Sequence, residues 1–273
     1  MAARIFSTIL LWAVAIAAVV FAGALGLALL VWALAAGALD EALAACRKMG
    51  FSPMSGICQA ACAAIILGGW CAAEKYGEIG ISIPLLVCAA VPVLLLKDPF
   101  GNFWNKSLLP SLLAVLAIPF ALQWLVFMPQ KFGLMFPIMV LAAAKFSDVG
   151  AFVVGKGFGR RKLAPQTSPN KTWEGAIGGI FSAAAVAAAF AWGFHGTQLM
   201  PKNFLPTDAI AFGAAIGACA IASDLLESAF KRRARVKDSG KIIPGIGGIL
   251  DLADSLLLSA PAAAAMAAVM NLD

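Results

Sequence analysis

The sequence predicts an all-α, polytopic transmembrane protein with about nine spans and a cytoplasmic N-terminus. Three observations carry that expectation. Mean hydropathy is +0.92, 62% of residues are hydrophobic against 12% charged, and apolar runs recur from Ile5 to Met270. Only helices or closed barrels satisfy every backbone donor in lipid, and continuous rather than alternating runs select helices.

In chain order the expected spans are Ile5–Phe21, Ala22–Ala38, Ile57–Ala73, Ile81–Leu96, Leu108–Met128, Gly133–Ser147, Gly175–Phe194, Ala209–Phe230 and Ser255–Met270. The first two are read as separate, because one uncharged helix of that length would run about 50 Å at about 1.5 Å per residue. Arg4 before an apolar stretch also suits a cleaved leader, but the unbroken second run favours spans. Several spans fall short of the ~20 residues of a perpendicular crossing, so they are expected to pack centrally or extend into polar flanks. With the N-terminus inside, 17 of the 20 Lys/Arg fall in cytoplasmic loops and helix ends. That bias follows the positive-inside rule. The net charge of +6 then reflects topology and anionic lipid rather than nucleic acid.

Two regions differ in character. Residues 1–130 read as transmembrane helices for packing and lipid contact. Residues 131–273 read as a catalytic transmembrane region with two cytoplasmic polar loops, 148–174 and 231–254. Gly23, Gly26 and the Gly213-x-x-x-Gly217 pair are small residues that let helices approach. The cysteines, with Cys58 and Cys62 one helical turn apart, read as buried apolar thiols, and His195, the only histidine, as an interface residue.

The first loop begins at Asp148, directly after a span, and carries Gly155, Gly157 and Gly159 among Lys156, Arg160, Arg161, Lys162 and Lys171. Ser168-Pro-Asn-Lys171-Thr172 leads into a helix with Glu174 in its first turn. Such a terminus can receive phosphate through backbone amides, although an ordinary helix cap would look the same. The second loop is more specific. Residues 223–254 hold five carboxylates, six Lys/Arg and four glycines. Asp224 and Glu227 lie three apart, hence on one helix face, and Asp251 and Asp254 repeat that spacing. Between them run Lys231, Arg232, Arg233, Arg235, Lys237, Asp238 and Lys241, then Pro244-Gly245-Ile246-Gly247-Gly248. A Glu227–Lys231 ion pair explains one acid, not four. Carboxylates with room for water and phosphate suit Mg²⁺. Acids for a metal and bases for phosphate at the inner leaflet suggest phosphoryl or nucleotidyl transfer to a lipid. A transporter would need ionisable groups at mid-bilayer, and the acids sit at helix ends.

Residues 145–262 resemble the phosphatidate cytidylyltransferase (CDP-diacylglycerol synthase) family. The resemblance rests on Ser228, Lys231-Arg232, Lys237-Asp238, Pro244 to Gly248, and Asp251-Leu-Ala-Asp254, all at the family spacing. Upstream, Asp148-Val-Gly-Ala-Phe, Lys162-Leu-Ala-Pro165 and Ser168 to Gly175 add to it. It implies transfer of CMP from CTP to phosphatidic acid at the cytosolic face of the cell inner membrane, giving CDP-diacylglycerol and pyrophosphate. It implies Mg²⁺, with K⁺ as an associated ion, and a homodimer. Asp224, Asp251 and Asp254 would hold metal, with Asp224, Asp251, Lys231 and Lys237 catalytic. Lys171, Ser168, Arg232, Asp148, Glu174, Gly247 and Gly248 would meet substrate. Ile246 and Leu252 stand where the family pattern has His and Arg. The alternatives are therefore another nucleotide-dependent lipid transferase or kinase, or a weakened or inactive homologue that binds lipid or nucleotide.

Overall fold

The computed structural model describes residues 2–76, 104–240 and 247–272. The expected span Ile81–Leu96, and Pro244 to Ile246, lie outside the described residues. The chain is built from α1 (Ala2–Lys48), α2 (Ser55–Ala63) and, through a π-helical turn, α3 (Gly69–Tyr76). Then come α4 (Leu109–Ala117), α5 (Pro119–Phe132), α6 (Met135–Phe158), β1 (Lys162–Ala164), β2 (Ser168–Thr172), α7 (Trp173–Phe194), α8 (Pro206–Arg233), α9 (Leu250–Ala253) and α10 (Leu256–Val269). Among the described residues, seven helical stretches are long and apolar enough to cross a membrane.

The two expected N-terminal spans run on as α1, interrupted only at Gly23, where φ is 54° and ψ −132°. That region suits a residue without Cβ, and a Cβ at Gly23 would meet nothing within 4 Å. Gly23 interrupts the helix, and among the described residues nothing packs against it.

The polar loops are shorter than the sequence suggests. Helix α6 continues eleven residues beyond Ser147 to Phe158, because Gly150 and Gly155 let α7 and Thr172 pack closely against it. Asp148 is thus a helical residue well inside α6 rather than the first residue of a loop. The connection that remains folds into an antiparallel hairpin, with Lys162 opposite Thr172 and Ala164 opposite Ser168. At the other loop, α8 continues through Lys231, Arg232 and Arg233.

The chain divides into two compact units, residues 1–127 with 231–253, and residues 128–230 with 254–273. In the first, α1 packs on α2, α4 and α9. Gln59 Nε2 donates to the Ala36 carbonyl at 2.9 Å, and Met54 N–H donates to Ser111 Oγ at 2.9 Å.

In the second unit, α6 and α7 run antiparallel against each other and α8 packs on α7. The seam between them is made of glycine and alanine. A Cβ on Gly175 would lie 2.8 Å from the Ala151 carbonyl, and one on Gly179 2.8 Å from that of Ser147. On α8, a Cβ at Gly213 would come within 2.6 Å of Ala187, and one at Gly217 within 2.8 Å of Ala183. The Gly213-x-x-x-Gly217 spacing works as a close-approach face. Gly155 and Gly159 back onto Thr172. Near the start of α6, Phe136, Phe204 and Phe212 form a buried ring cluster with centroids 5.4–5.6 Å apart. Replacing Gly217 by Leu should lower the melting temperature in detergent, since overpacking such a seam costs about 1–3 kcal/mol. An unchanged melting curve would show that the helices can separate there.

Candidate active site

Helix α8 places Asp224 and Glu227 on one face, and Asp254 follows α9 at the turn that opens α10. Each of the three offers a carboxylate oxygen, and these oxygens all lie within 4.8 Å of one another. Glu227 is only 5% exposed. Two local contacts bring the turn to the helix. Ser223 Oγ–H donates to the Asp254 carbonyl and receives Leu258 N–H at 3.3 Å. Asp254 also accepts Ser255 N–H at 2.5 Å. Ser259 Oγ reaches back to the Ile216 carbonyl at 3.4 Å.

Two lysines from other elements of the same unit meet these acids. Lys171, on β2, places Nζ 2.5 Å from Asp224 Oδ2. Lys145, on α6, lies 3.4 Å from Asp254 and 3.9 Å from Asp148. Among the described residues, Asp224, Glu227 and Asp254 gather with Asp148 close by, and Lys171 and Lys145 pair with three of the four. Like charges held this close repel, and a divalent cation removes that repulsion. The donor set is all oxygen, as a hard cation requires. The acidic cluster can therefore hold a metal ion.

The hairpin sets Lys171 in place. Thr172 caps α7, its Oγ1 receiving Gly175 N–H at 3.1 Å. Glu174 accepts Arg160 N–H at 3.0 Å and Arg161 N–H at 3.2 Å, and Trp173 N–H closes onto the Arg161 carbonyl at 3.0 Å. The Glu174 carboxylate is thus occupied in tying the hairpin base to the helix start. Ser168, half-buried, begins β2.

A family model for the cytidylyltransferase family matches residues 2–270. The chain belongs to the cytidylyltransferase family. The Haemophilus influenzae phosphatidate cytidylyltransferase is 38% identical over 169 residues, 59% of this chain and 58% of its own length. The Rickettsia bellii phosphatidate cytidylyltransferase is 38% identical over 180 residues, 65% of this chain and 76% of its own. An uncharacterized Escherichia coli protein, YnbB, is 35% identical over 186 residues, 66% of this chain and 60% of its own. The chain therefore spans less than two thirds of the length of the Haemophilus and Escherichia relatives.

In this family member the remaining expected site residues lie in the first unit. Asp251, on α9, accepts Lys231 Nζ at 2.5 Å, Gly248 N–H at 2.7 Å and Ser239 N–H at 3.2 Å, with Ser239 Oγ 2.9 Å from Oδ2. Gly247 and Gly248 precede α9, and a Cβ on Gly247 would sit 2.7 Å from Asp251 Oδ2. Arg232 and Lys237 are exposed. Sequence reasoning paired Glu227 with Lys231 as well as with Asp224. It gave no role in the site to Lys145, although a lysine three residues before Asp148 on one helix was the available signal. It also passed over Glu41 in α1, which lies far from the motif along the chain.

Proposed function

We propose that this protein transfers CMP from CTP to phosphatidic acid, releasing pyrophosphate and leaving CDP-diacylglycerol in the cytosolic leaflet of the cell inner membrane. The observation that carries the reading is the gathering of Asp224, Glu227 and Asp254 within 4.8 Å, with Lys171 and Lys145 alongside. Family membership and the two phosphatidate cytidylyltransferase relatives support it.

Asp224, Glu227 and Asp254 are the residues that would hold Mg²⁺. Bound there, the ion would neutralise and orient triphosphate oxygens. Lys171 stands beside the start of α7, placed to exchange Asp224 for a phosphate oxygen of CTP. Lys145, shared between Asp148 and Asp254, is placed to hold both carboxylates in position. In the first unit, Lys231, Arg232 and Lys237 have the chemistry to meet phosphate, and Asp251 holds Lys231. An oxygen of the lipid phosphate attacks the α-phosphorus of CTP. The new P–O bond forms as the bond to the bridging oxygen breaks, and the electron pair leaves with pyrophosphate. Catalysis then rests on positioning and charge neutralisation.

Purified protein in mixed micelles with Mg²⁺, radiolabelled CTP and phosphatidic acid should form a CDP-lipid. ATP or a lipid alcohol in place of the proper substrate should not support it. A second reading, a homologue that binds nucleotide without turnover, is motivated by Leu252, half-buried on α9 where the family pattern has arginine. Saturable CTP binding with no CDP-lipid would select that reading.

A further inference from the structure

Glu41 lies in the part of the sequence that reads as membrane packing, yet it is the most heavily engaged carboxylate of α1. Its neighbour Asp40 is exposed, whereas Glu41 is only 7% exposed. A buried carboxylate among apolar helices is costly unless donors surround it. Three donors do, all from the motif loop and the start of α9. Ser239 Oγ–H reaches Glu41 Oε2 at 2.7 Å, Leu250 N–H the same oxygen at 2.9 Å, and Ile249 N–H reaches Oε1 at 3.0 Å. Gly240 and Gly248 lie against the same carboxylate, and a Cβ on Gly240 would come 2.8 Å from Glu41 Cδ.

Ser239 joins this carboxylate to a second one. Its hydroxyl also lies 2.9 Å from Asp251 Oδ2, which receives Ser239 N–H at 3.2 Å and Gly248 N–H at 2.7 Å. Asp251 in turn holds Lys231. Glu41, Ser239, Asp251 and Lys231 form one continuous chain of contacts within a single compact unit. The two ends of the motif loop, at Ser239 and at Ile249, are therefore held from α1 by one side chain.

We propose that Glu41 is a positioning residue for the motif: it sets the backbone on which Lys237, Gly248 and Asp251 are carried and orients Asp251 through Ser239. The proposal rests on the cytidylyltransferase reading for its kinetic part, but its structural part stands without it. Glu41→Gln keeps the shape but replaces one acceptor with an amide donor facing existing donors.

Two measurements on the full-length protein test it. In the CTP–phosphatidic acid assay, Glu41→Gln should lower kcat about 10–100-fold, the usual scale for a residue that orients another, with KM for CTP little changed. In a cycle with Ser239→Ala the two losses should be strongly non-additive, since both act through Asp251. Hydrogen exchange should show protection lost at Ile249 and Leu250 while α6–α8 keep theirs. An unchanged kcat, additive losses, or unchanged exchange would overturn the proposal. If the unaltered protein forms no CDP-lipid, the proposed activity fails, and the exchange experiment alone decides whether Glu41 places the loop. Should Glu41→Gln misfold, Ser239→Ala serves in its place, because it removes the link to Asp251 and leaves the other Glu41 contacts intact.

Discussion

Asp224→Asn should reduce CDP-lipid formation by on the order of 10²–10³, the scale of losing one group that stabilises a transition-state charge. Asp224 joins the oxygens that lie within 4.8 Å of one another and pairs with Lys171 at 2.5 Å. The amide keeps the volume of the side chain and can still meet Ser228, whose hydroxyl lies 3.3 Å from Asp224 Oδ1. Folding should therefore survive, as judged by an unaltered elution profile and melting curve. Affinity for Mn²⁺, used as a spectroscopic substitute for Mg²⁺, should fall together with turnover. A variant with full activity would remove Asp224 from the reaction, and with it the main support for a metal site on α8.

Lys171→Ala should separate these two readouts. Turnover should fall about a hundredfold, because a charge-assisted contact to phosphate is lost. Metal affinity, by contrast, should rise. Without Lys171, Asp224 loses the ammonium that pairs with it, so the repulsion among the neighbouring carboxylates that favours a cation grows. Manganese titration followed by electron paramagnetic resonance measures one quantity, and labelled CTP the other. Weaker metal binding in Lys171→Ala would mean that the lysine organises the acids rather than competing for them. Arginine is a poor replacement, since its broad planar fork does not fit where a single ammonium approaches one carboxylate oxygen.

The polytopic helical architecture was legible because lipid leaves few solutions for a backbone, and long uncharged runs announce it. The convergence of acids was legible in part. The resemblance named Asp224, Asp251 and Asp254 for the metal; the structure gathers Asp224 and Asp254 with Glu227, whereas Asp251 pairs with Lys231. The extent of α6 was not legible. Val149–Phe158 contains three glycines and a lysine, the usual composition of a loop, but Gly150 and Gly155 lie in close contact with α7 and the hairpin. Tertiary packing overrode local propensity there. The hairpin was hidden for a related reason. Its strands are three and five residues long, too short for an alternating pattern, and Glu174 fixes its base through side-chain contacts that no periodicity reveals. Glu41 shows the limit most clearly. Its partners lie about 200 residues away in sequence, and a glutamate beside Asp40 at the end of an apolar run looks like an ordinary interfacial charge.

Along α7, α6 and α8 approach largely through main chain and small side chains, while several bulky residues of these helices point away. Phe152, Phe181, Trp192 and Ile210 are all more than half exposed, on faces suited to acyl chains. The two surfaces of each helix thus answer to different pressures. Outward residues can drift as bilayer thickness or fluidity changes, with no effect on how the ionisable groups are spaced. Adaptation to a new membrane is thereby insulated from the chemistry carried inside it.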